Sequence, residues 1–355
     1  MKKLNVAIIG QGRSGRDIHG KYFLSEAGRE RYNVVAVSDK IEARRVRAKE
    51  EYPGCDVYED YRELLQRKDI DVVVNSTFSY LHYPVTMDAL RHGKNVVSEK
   101  PFSKFTIECE DMIRTAKEND VTLTVFQQSR VAPYFTRIRE IIDSGKLGDI
   151  AQITIHFSGY TRRWDWQTSR RYYGGCLLNT GPHPLDQALQ LLDTEEMPNV
   201  FSVLKRINSA GDAEDYAKVI LTAPGRPLID LEISPADAYN DFTYRIHGSR
   251  GSLTATLSKI RWKYFDECEM PKFTFEPLTK ADGLSPAYCS EKLNWNEFEE
   301  DMSGTPFDYA PAKFYENLYD HLTDGADLLI KPEKLLQQIR VIELIHAQNP
   351  MPTWC

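Results

Sequence analysis

The sequence predicts a protein of the α/β class in two parts: a doubly wound parallel sheet, then an α+β domain with an open, mostly antiparallel sheet. Up to residue 127, short β-branched runs alternate with amphipathic helical stretches, which is the rhythm of βαβ units. Beyond that point strands follow one another without intervening helices, which is typical of an antiparallel sheet. A chain of 355 residues is long enough for two cores. We therefore expect domains over residues 1–127 and 128–355.

The elements of the first domain are expected where β-branched runs and helical apolar spacing alternate. Strands are expected at residues 4–9, 33–38, 72–75, 95–97 and 122–126. Helices that cover the sheet are expected at residues 16–27, 41–51, 61–66, 83–92 and 106–119.

In the second domain, a helix at 135–144 is expected to lead into a long strand at 150–160, where apolar and polar residues alternate. Further strands are expected at 200–206, 217–222, 228–234, 243–247, 252–257 and 260–265, and closing helices at 313–322 and 332–346. The stretches 267–306 and 304–311 are interpreted as loops. For the longer stretch, the alternatives to a surface loop are a lid over the site or an arm that contacts another subunit.

The composition excludes several classes of protein. A formal net charge of -7 and a pI near 5.7 argue against a nucleic acid partner, because phosphate binding needs clustered Lys and Arg. No apolar run approaches the roughly 20 residues of a membrane helix, and the N-terminus lacks the apolar region of a signal peptide. The six cysteines show no metal-ligand spacing, so we expect free thiols and no metal site. We expect a soluble, cytoplasmic protein with no membrane partner.

A glycine-rich turn follows the first predicted strand and predicts a dinucleotide site. Gly10 suits the tight turn, Gly12 removes a Cβ that would keep the backbone from a pyrophosphate, and Gly15 permits close packing of helix and strand. The main-chain N–H groups around Arg13 and Ser14 would then hold the phosphates at the start of the next helix. A strand, a glycine turn and a helix in this order predict a Rossmann domain.

Asp39 ends the second predicted strand and bears on the choice of cofactor. A carboxylate at this position accepts both hydroxyls of an adenosine ribose, which favours NAD. A 2′-phosphate would meet the charge of Asp39, although Lys40 beside it partly compensates, so NADP is the less favoured cofactor. Asp39 can also cap the helix that begins near Ile41, and that role is compatible with ribose binding.

Polar residues at the carboxyl ends of later strands are also assigned to the cofactor, since open α/β sheets bind ligands at that edge. Ser76 and Thr77 follow one such strand, and Gln128 follows the last strand of the first domain. His82 is either a cofactor contact or the cap of the helix that begins near Pro84.

The sequence Glu99-Lys100-Pro101 ends another strand and supplies the first candidate for chemistry. The lysine stands at the sheet edge where nicotinamide and substrate would meet, and its ammonium can donate to a substrate oxygen. Partial burial would lower its pKa toward neutral pH. The alternative is a surface lysine paired with Glu99.

A second candidate segment runs from Tyr173, through Gly174 and Gly175, to Asp186. Asn179 and His183 lie four residues apart, so they share a face if the segment is helical. A single histidine on an amphipathic helix is usually structural. A histidine bracketed by Asn, Gly, Pro and Asp is a stronger candidate for an acid or base.

Taken together, these signals resemble the Gfo/Idh/MocA family, to which glucose–fructose oxidoreductase and inositol dehydrogenase belong. The resemblance covers nearly the whole chain. It rests on the glycine turn, on Glu99-Lys100-Pro101 and on the glycine-led segment that ends in His183 and Asp186. It implies a Rossmann domain, a C-terminal open-faced sheet for substrate binding and oligomerisation, and NAD(P)-dependent oxidation of a secondary alcohol on a sugar, cyclitol or glycoside.

The resemblance also implies roles for particular residues. Lys100 would orient or protonate the substrate oxygen, and His183 would be the acid or base at the reacting carbinol. The other substrate-binding residues that we assign, besides Asn179, are Arg130, Tyr160, Trp164 and Trp166. The alternative for the segment with the two tryptophans is a strand end and loop stabilised by burying them.

Asn179 departs from the family pattern, in which an aspartate most often stands four residues before the histidine. An amide can orient an imidazole, but it brings no charge to stabilise the protonated ring. We therefore expect His183 to be the weaker base and Lys100 to carry more of the proton transfer, unless Asn179 contacts the substrate directly.

Three functional hypotheses follow. The leading one is an NAD-dependent dehydrogenase of a sugar, cyclitol or glycoside that forms a homo-oligomer, either a dimer or a tetramer. The second is an NADP-dependent reductase of a keto-sugar. The third is an NAD-binding sensor without catalysis, which only Asn179 supports.

Overall fold

A computed structural model of the chain describes residues 2–269, 292–302 and 309–352. Its first sheet has six parallel strands in the spatial order β3-β2-β1-β4-β5-β6. These strands are β1 (Leu4–Ile9), β2 (Tyr32–Ser38), β3 (Asp56–Tyr58), β4 (Val72–Asn75), β5 (Asn95–Ser98) and β6 (Leu123–Val125). The side chains of β1, β4, β5 and β6 are almost entirely buried, as expected for a parallel sheet covered on both faces.

Helices connect these parallel strands, so the carboxyl ends of all six strands lie at the same edge of the sheet. The helices are α1 (Lys21–Leu24), α2 (Glu26–Arg31), α3 (Glu42–Glu51), α4 (Tyr61–Leu65), α5 (His82–Arg91) and α6 (Thr106–Glu118). The prediction of one continuous helix over 16–27 is wrong in detail. A π-helical turn, Gly15–Gly20, leads into α1, and the helix is interrupted at Ser25. Ser25 is extended, and its Oγ accepts from the N–H of Gly28, so it begins a new helix.

The second sheet has eight strands in the order β14-β13-β12-β11-β7-β10-β9-β8, antiparallel except between β7 and β10. The strands are β7 (Ile150–Ser158), β8 (Asn199–Lys205), β9 (Tyr216–Thr222), β10 (Leu228–Ser234), β11 (Tyr244–Gly248), β12 (Gly251–Ala255), β13 (Lys259–Tyr264) and β14 (Asn296–Asp301). The helices of this part are α7 (Pro133–Asp143), α8 (Cys176–Asn179), α9 (Pro182–Leu192), α10 (Tyr309–Asp324) and α11 (Leu336–Gln348). The predicted fold class is confirmed.

Strand β14 lies inside the stretch that was expected to be a loop, so that expectation is wrong for residues 296–301. The segment is rich in acids, which gives it a low strand propensity. Its pairing with β13 places Glu299 against Lys259 and Arg261, at 2.6 and 3.3 Å. Cross-strand charge pairing of this kind stabilises a strand that propensity alone would miss. Residues 270–291 and 303–308 lie outside the described part of the chain.

Helix α10 returns to the first sheet. It begins at Tyr309, before the expected residue 313 and within the stretch 304–311 that was expected to be a loop. The fully buried ring of Tyr315 stacks on Tyr22 at 4.9 Å between centroids, and its carbonyl accepts from the hydroxyl of Tyr32 at 2.7 Å. The core around the first sheet therefore includes residues from near the C-terminus.

Candidate active site

The glycine turn between β1 and the first helical segment is built for close approach of the backbone. Gly10 has a φ of +94°, and a Cβ there would lie 2.6 Å from the carbonyl oxygen of Ser76. A Cβ on Gly15 would lie 1.9 Å from the carbonyl oxygen of Gly10. At Gly12 the nearest atom to an added Cβ is Nη1 of Arg44, at 3.5 Å, so only the end of a flexible side chain covers the backbone there. This combination fits a pyrophosphate cradle.

Asp39 ties this turn to the second strand. Its Oδ2 accepts from the N–H of Gln11 at 2.8 Å and lies 3.2 Å from Nη1 of Arg44, while its Oδ1 accepts from the N–H of Ile41 at 2.9 Å. Both roles weighed from the sequence, ribose acceptor and anchor of the following helix, are thus geometrically compatible. The charge of Asp39 is neutralised by Arg44, a partner that the sequence reasoning missed, and Lys40 is exposed beside them.

The polar side chains after β4, which were assigned to the cofactor, mainly form hydrogen bonds with other groups of the protein. Ser76 Oγ donates to the carbonyl oxygen of Gly10 at 2.6 Å, and Thr77 Oγ1 donates to Asn75 Oδ1 at 2.7 Å. His82 is buried, with its two ring nitrogens 2.7 Å from the carbonyl oxygen of Pro101 and 3.3 Å from that of Thr77. Its ring nitrogens face protein carbonyls, and its side chain does not cap α5, so neither reading of His82 is supported.

Glu99 lies at the centre of a buried hydrogen-bond network, not on the surface. Its Oε1 accepts from the hydroxyl of Ser14 and lies 3.1 Å from Nε2 of His19, while its Oε2 accepts from the main-chain N–H of Lys100 at 3.0 Å. Nδ1 of His19 is in turn 2.6 Å from the hydroxyl of Tyr315. Burial by itself would raise the pKa of Glu99, but the hydrogen bond and charge of His19, the charge of Lys100 and the hydrogen bond from Ser14 lower it to about 2.

Lys100 and His183 are brought together from the two halves of the chain. Lys100 follows β5, and its Nζ donates to the main-chain carbonyl oxygen of Asn179 at 2.9 Å. Burial lowers the pKa of this amine, Glu99 opposes that shift, and the positive charges of Arg13 and Arg163 add to it. Burial, and then the charge of Lys100, lower the pKa of His183 to about 3. Lys100 thus bonds to the segment that leads into His183, and the pKa shifts bias both side chains toward their neutral forms.

Asn179 and His183 do not lie on one continuous helix. Helix α8 ends at Asn179 and α9 begins at Pro182, which has no main-chain N–H to continue the hydrogen bonding of the first helix. The side chain of Asn179 accepts at Oδ1 from Nε2 of Gln167 at 2.7 Å. Nδ1 of His183 instead lies 3.1 Å from the hydroxyl of Ser129. The contact expected between the Asn179 amide and the imidazole is replaced by these two bonds.

Arg130 pairs with Asp186 in the interior. The two guanidinium nitrogens Nε and Nη2 donate to the two carboxylate oxygens at 2.7 and 2.6 Å, and Asp186 is 1% exposed. Burial raises the pKa of Asp186 and Arg130 opposes that shift. The assignment of Arg130 to the substrate is thus corrected in part, because its bidentate face neutralises a buried carboxylate. Oε1 of the buried Gln128 has no hydrogen-bond partner among the described residues, which leaves it available to a ligand.

The aromatic residues expected in the substrate pocket differ in exposure. Trp164 is 82% exposed and Tyr160 63% exposed, so the alternative in which the loop is stabilised by burying both tryptophans is wrong. Trp166 is half-buried and packs edge-on against Phe78, with centroids 4.7 Å apart. Phe78 follows β4, so this contact joins the two halves of the chain. Phe78 was missed because an apolar residue after a strand gives no signal for a binding site.

His19 and Ser129 were also missed, although each carried a signal. His19 lies one helical turn after Gly15, on the face that packs on the strand. Ser129 lies just past the carboxyl end of β6, the position that had drawn attention to Ser76 and Thr77. Within the residues described, no group of three or more His, Cys, Asp or Glu side chains could hold a metal ion. Nor does any described helix combine the length and the apolar character needed to cross a membrane.

Comparisons with known proteins match two segments of the chain to family models. The model of the oxidoreductase family with an NAD-binding Rossmann fold matches residues 4–127, and the model of the GFO/IDH/MocA C-terminal domain matches residues 135–254. Oxidoreductase YdgJ of Escherichia coli is 28% identical, with 99% of this chain and 98% of that protein covered. The scyllo-inositol 2-dehydrogenase (NADP(+)) IolW of Bacillus subtilis is 28% identical, with 96% and 92% covered.

The fold is shared with solved structures. The crystal structure of an oxidoreductase from Bacillus cereus superimposes with a TM-score of 0.79 at 19% identity, with 99% of each chain covered. The matched segments include the glycine turn, Lys100 and His183. The chain is therefore a member of the Gfo/Idh/MocA family of oxidoreductases.

Proposed function

We propose that the chain is an NAD-dependent dehydrogenase that oxidises a secondary hydroxyl of a sugar, cyclitol or glycoside. The observation that carries this proposal is that Lys100 bonds to Asn179 and Ser129 lies against His183, with Lys100 and Ser129 both just past carboxyl ends of strands of the first sheet. An amine biased toward its neutral form can accept a proton from the substrate, and a neutral imidazole can hydrogen-bond to the substrate oxygen. The inositol dehydrogenase named among the relatives agrees with this substrate class.

The residues present fit a nicotinamide dinucleotide. The backbone at Gly12, which has only the Arg44 side chain over it, would hold the pyrophosphate together with Arg13 and Ser14, and Asp39 would accept from the adenosine ribose. The unpartnered Oε1 of Gln128 supports a ligand near the end of β6. When bound, the dinucleotide supplies the hydride acceptor in oxidation or the hydride donor in reduction.

Residues of the chain would accept the substrate proton and hold the substrate in position. Lys100 would take the hydroxyl proton as a neutral amine, since its pKa is lowered by burial. The half-buried Asn179 and Trp166 would contact the ring of the substrate, and the exposed Tyr160 and Trp164 would line its mouth.

NADP remains the second candidate cofactor because of Arg44. Its guanidinium lies between Asp39 and the glycine turn and is 39% exposed, so it can turn toward a 2′-phosphate. Reduction of a keto-sugar with NADPH is the corresponding alternative reaction. An NAD-binding sensor without catalysis is the less favoured alternative, because Lys100 and His183 are both present.

The test is a turnover assay over inositols, hexoses and glycosides with NAD and with NADP, supported by binding titrations of both cofactors. We expect turnover with at least one sugar or cyclitol and a loss of roughly a hundredfold or more in kcat for Lys100→Met. The exposed Lys68→Met is the matched control. Tight cofactor binding with no turnover and no sugar affinity would favour the sensor.

We also propose a homo-oligomer that forms through the exposed face of the eight-stranded sheet. Phe201 on β8 is 64% exposed, and charged side chains of β10, β13 and β14 share the open sheet with it. Light scattering on the purified protein would measure the assembly, and a monomer at micromolar concentration would contradict the proposal.

A further inference from the structure

Ser129 occupies a fixed position beside the candidate acid or base. It lies in the 3₁₀ turn Gln128–Val131 directly after β6 and is 5% exposed. Its carbonyl oxygen accepts from Nε2 of Gln187 at 2.8 Å, which anchors the turn to α9. Its hydroxyl oxygen lies 3.1 Å from Nδ1 of His183 and 3.1 Å from Nε2 of Gln127. The hydroxyl therefore bridges a strand end of the first sheet and the imidazole.

The direction of these hydrogen bonds follows from Gln127. Its Nε2 lies 2.7 Å from the carbonyl oxygen of Pro182, and a carbonyl can only accept, so this atom is the amide NH₂. Gln127 therefore donates its other hydrogen to the hydroxyl oxygen of Ser129. That leaves the hydroxyl hydrogen, for which Nδ1 of His183 is the acceptor among the described residues. A ring nitrogen that accepts carries no hydrogen, so a neutral imidazole in this position has its proton on Nε2.

The surroundings of His183 favour the neutral ring. Burial is the main cause that lowers the pKa of His183 to about 3. The charge of Lys100 adds to this shift whenever that amine is protonated, and Glu99 opposes it. A protonated ring would also need Nδ1 to donate, which would leave the hydroxyl hydrogen of Ser129 without an acceptor in a buried turn.

We propose that Ser129 is a positioning residue that fixes His183 in the tautomer with its hydrogen on Nε2, so that the imidazole donates a hydrogen bond to the substrate oxygen. The proposal rests on the proposed function and assigns the proton chemistry of that site. Because Nε2 already carries a hydrogen, it does not accept the hydroxyl proton in oxidation. The O–H bond of the substrate breaks, and its proton forms a new N–H bond on the neutral amine of Lys100, which becomes an ammonium. In reduction the ammonium returns that proton to the oxygen.

The direct test reads the tautomer in the protein without cofactor or substrate, so its result does not depend on the proposed activity. Histidine labelled with ¹⁵N is incorporated, and the resonances of His183 are identified by their loss in His183→Gln. Between roughly pH 6 and 8, where we expect the ring to be neutral, Nδ1 should be a hydrogen-bond acceptor without a proton and Nε2 should carry the proton. A protonated Nδ1 in the wild-type protein would overturn the proposal.

Variants of Ser129 separate positioning from general structural support. In Ser129→Ala the tautomer is expected to shift toward the Nδ1-protonated form, and Ser129→Thr is expected to restore the wild-type pattern because it keeps the hydroxyl. Ser144→Ala, at an exposed position just past the end of α7, is the control and should change nothing. A wild-type pattern in a folded Ser129→Ala protein would contradict the role of the hydroxyl.

The activity arm applies once a turned-over substrate is known. We expect Ser129→Ala to lower kcat by roughly tenfold with little change in KM, since the lost interaction acts on the reacting oxygen. An unchanged kcat alongside an altered tautomer would overturn the donor role of Nε2. Absence of turnover in the wild-type protein would count against the proposed function and would leave the tautomer result standing.

Discussion

The side-chain nitrogen Nζ of Lys100 donates to the main-chain carbonyl oxygen of Asn179 across 2.9 Å. Because the acceptor belongs to the backbone, the contact does not depend on which side chain stands at position 179. It joins the end of β5 to the end of α8, and thereby sets the distance between the amine and the helix that carries His183. The side chain at 179 is thus free to tune charge without disturbing this geometry.

Asn179→Asp is expected to shift the pH dependence of the reaction. A carboxylate beside Lys100 and His183 favours their charged forms, so it raises the pKa of both groups. We expect the pH–rate limb of kcat/KM that reports the neutral amine to move upward by roughly one pH unit. The exposed Asn33→Asp adds the same charge elsewhere and serves as the control. An unchanged pH profile would rule out a charge effect at this position.

Asp39→Ala is expected to alter the preference between the two cofactors. The change removes the ribose acceptor and frees Arg44 from its 3.2 Å contact. We expect the ratio of NADPH to NADH affinity to rise by roughly tenfold. Fluorescence titration with both cofactors measures it, with the exposed Asp143→Ala as the control. Equal losses for NADH and NADPH would show that Asp39 only anchors the glycine turn.

Glu99→Gln is expected to reduce stability in a pH-dependent way. The pKa of Glu99 falls from 4.5 to about 2 on folding, so its contribution is fully present above pH 4.5 and is lost as the pH falls toward 2. This shift corresponds to about 3 kcal/mol at neutral pH. Urea unfolding should therefore give a difference between wild type and variant that narrows in acid. The exposed Glu50→Gln should show no such trend, and a difference independent of pH would contradict the assignment.

Tyr315→Phe is expected to destabilise the protein although the ring remains. The change removes the hydroxyl that lies 2.6 Å from Nδ1 of His19 and leaves that buried nitrogen without its partner. An unmet buried polar group costs about 1–3 kcal/mol in the free energy of unfolding. On the same helix, Tyr309→Phe removes a hydroxyl from a ring that is 45% exposed and should change stability by less than about 0.5 kcal/mol. Equal effects for both variants would refute the explanation.

The fold class could be predicted because it depends on local patterns, whereas a shared catalytic site of Lys100 and His183 stays a prediction. The edge of a parallel sheet collects whatever follows each strand, so glycines and polar residues at strand ends identify the site. The network from Glu99 through His19 to Tyr315 could not be predicted in this way. His19 and Tyr315 are 296 positions apart, and no local pattern reports a contact of that range.

Two further errors have physical causes. The acid-rich strand β14 depends on cations of the neighbouring strand, which a single-strand pattern does not contain. Arg130 looked available for a substrate because Asp186 lies far away in sequence, and only the packing of α9 brings the two together. In each case a charged residue is partnered across a long sequence distance. Charge is therefore a poor guide to exposure when the partner is unknown.

The packing of Tyr315 against Tyr22 has a consequence for how the protein is made on the ribosome. The N-terminal half emerges first. The rings of Tyr22, Tyr32 and Phe126, however, pack against Tyr315, so their cluster is completed only when α10 has been synthesised. A nascent chain ending at residue 127 would present this apolar surface to solvent and to chaperones. Protease digestion of stalled nascent chains is expected to show protection of the first half only after residue 324 has left the exit tunnel. Protection of a chain that ends at 127 would show that the first half matures on its own.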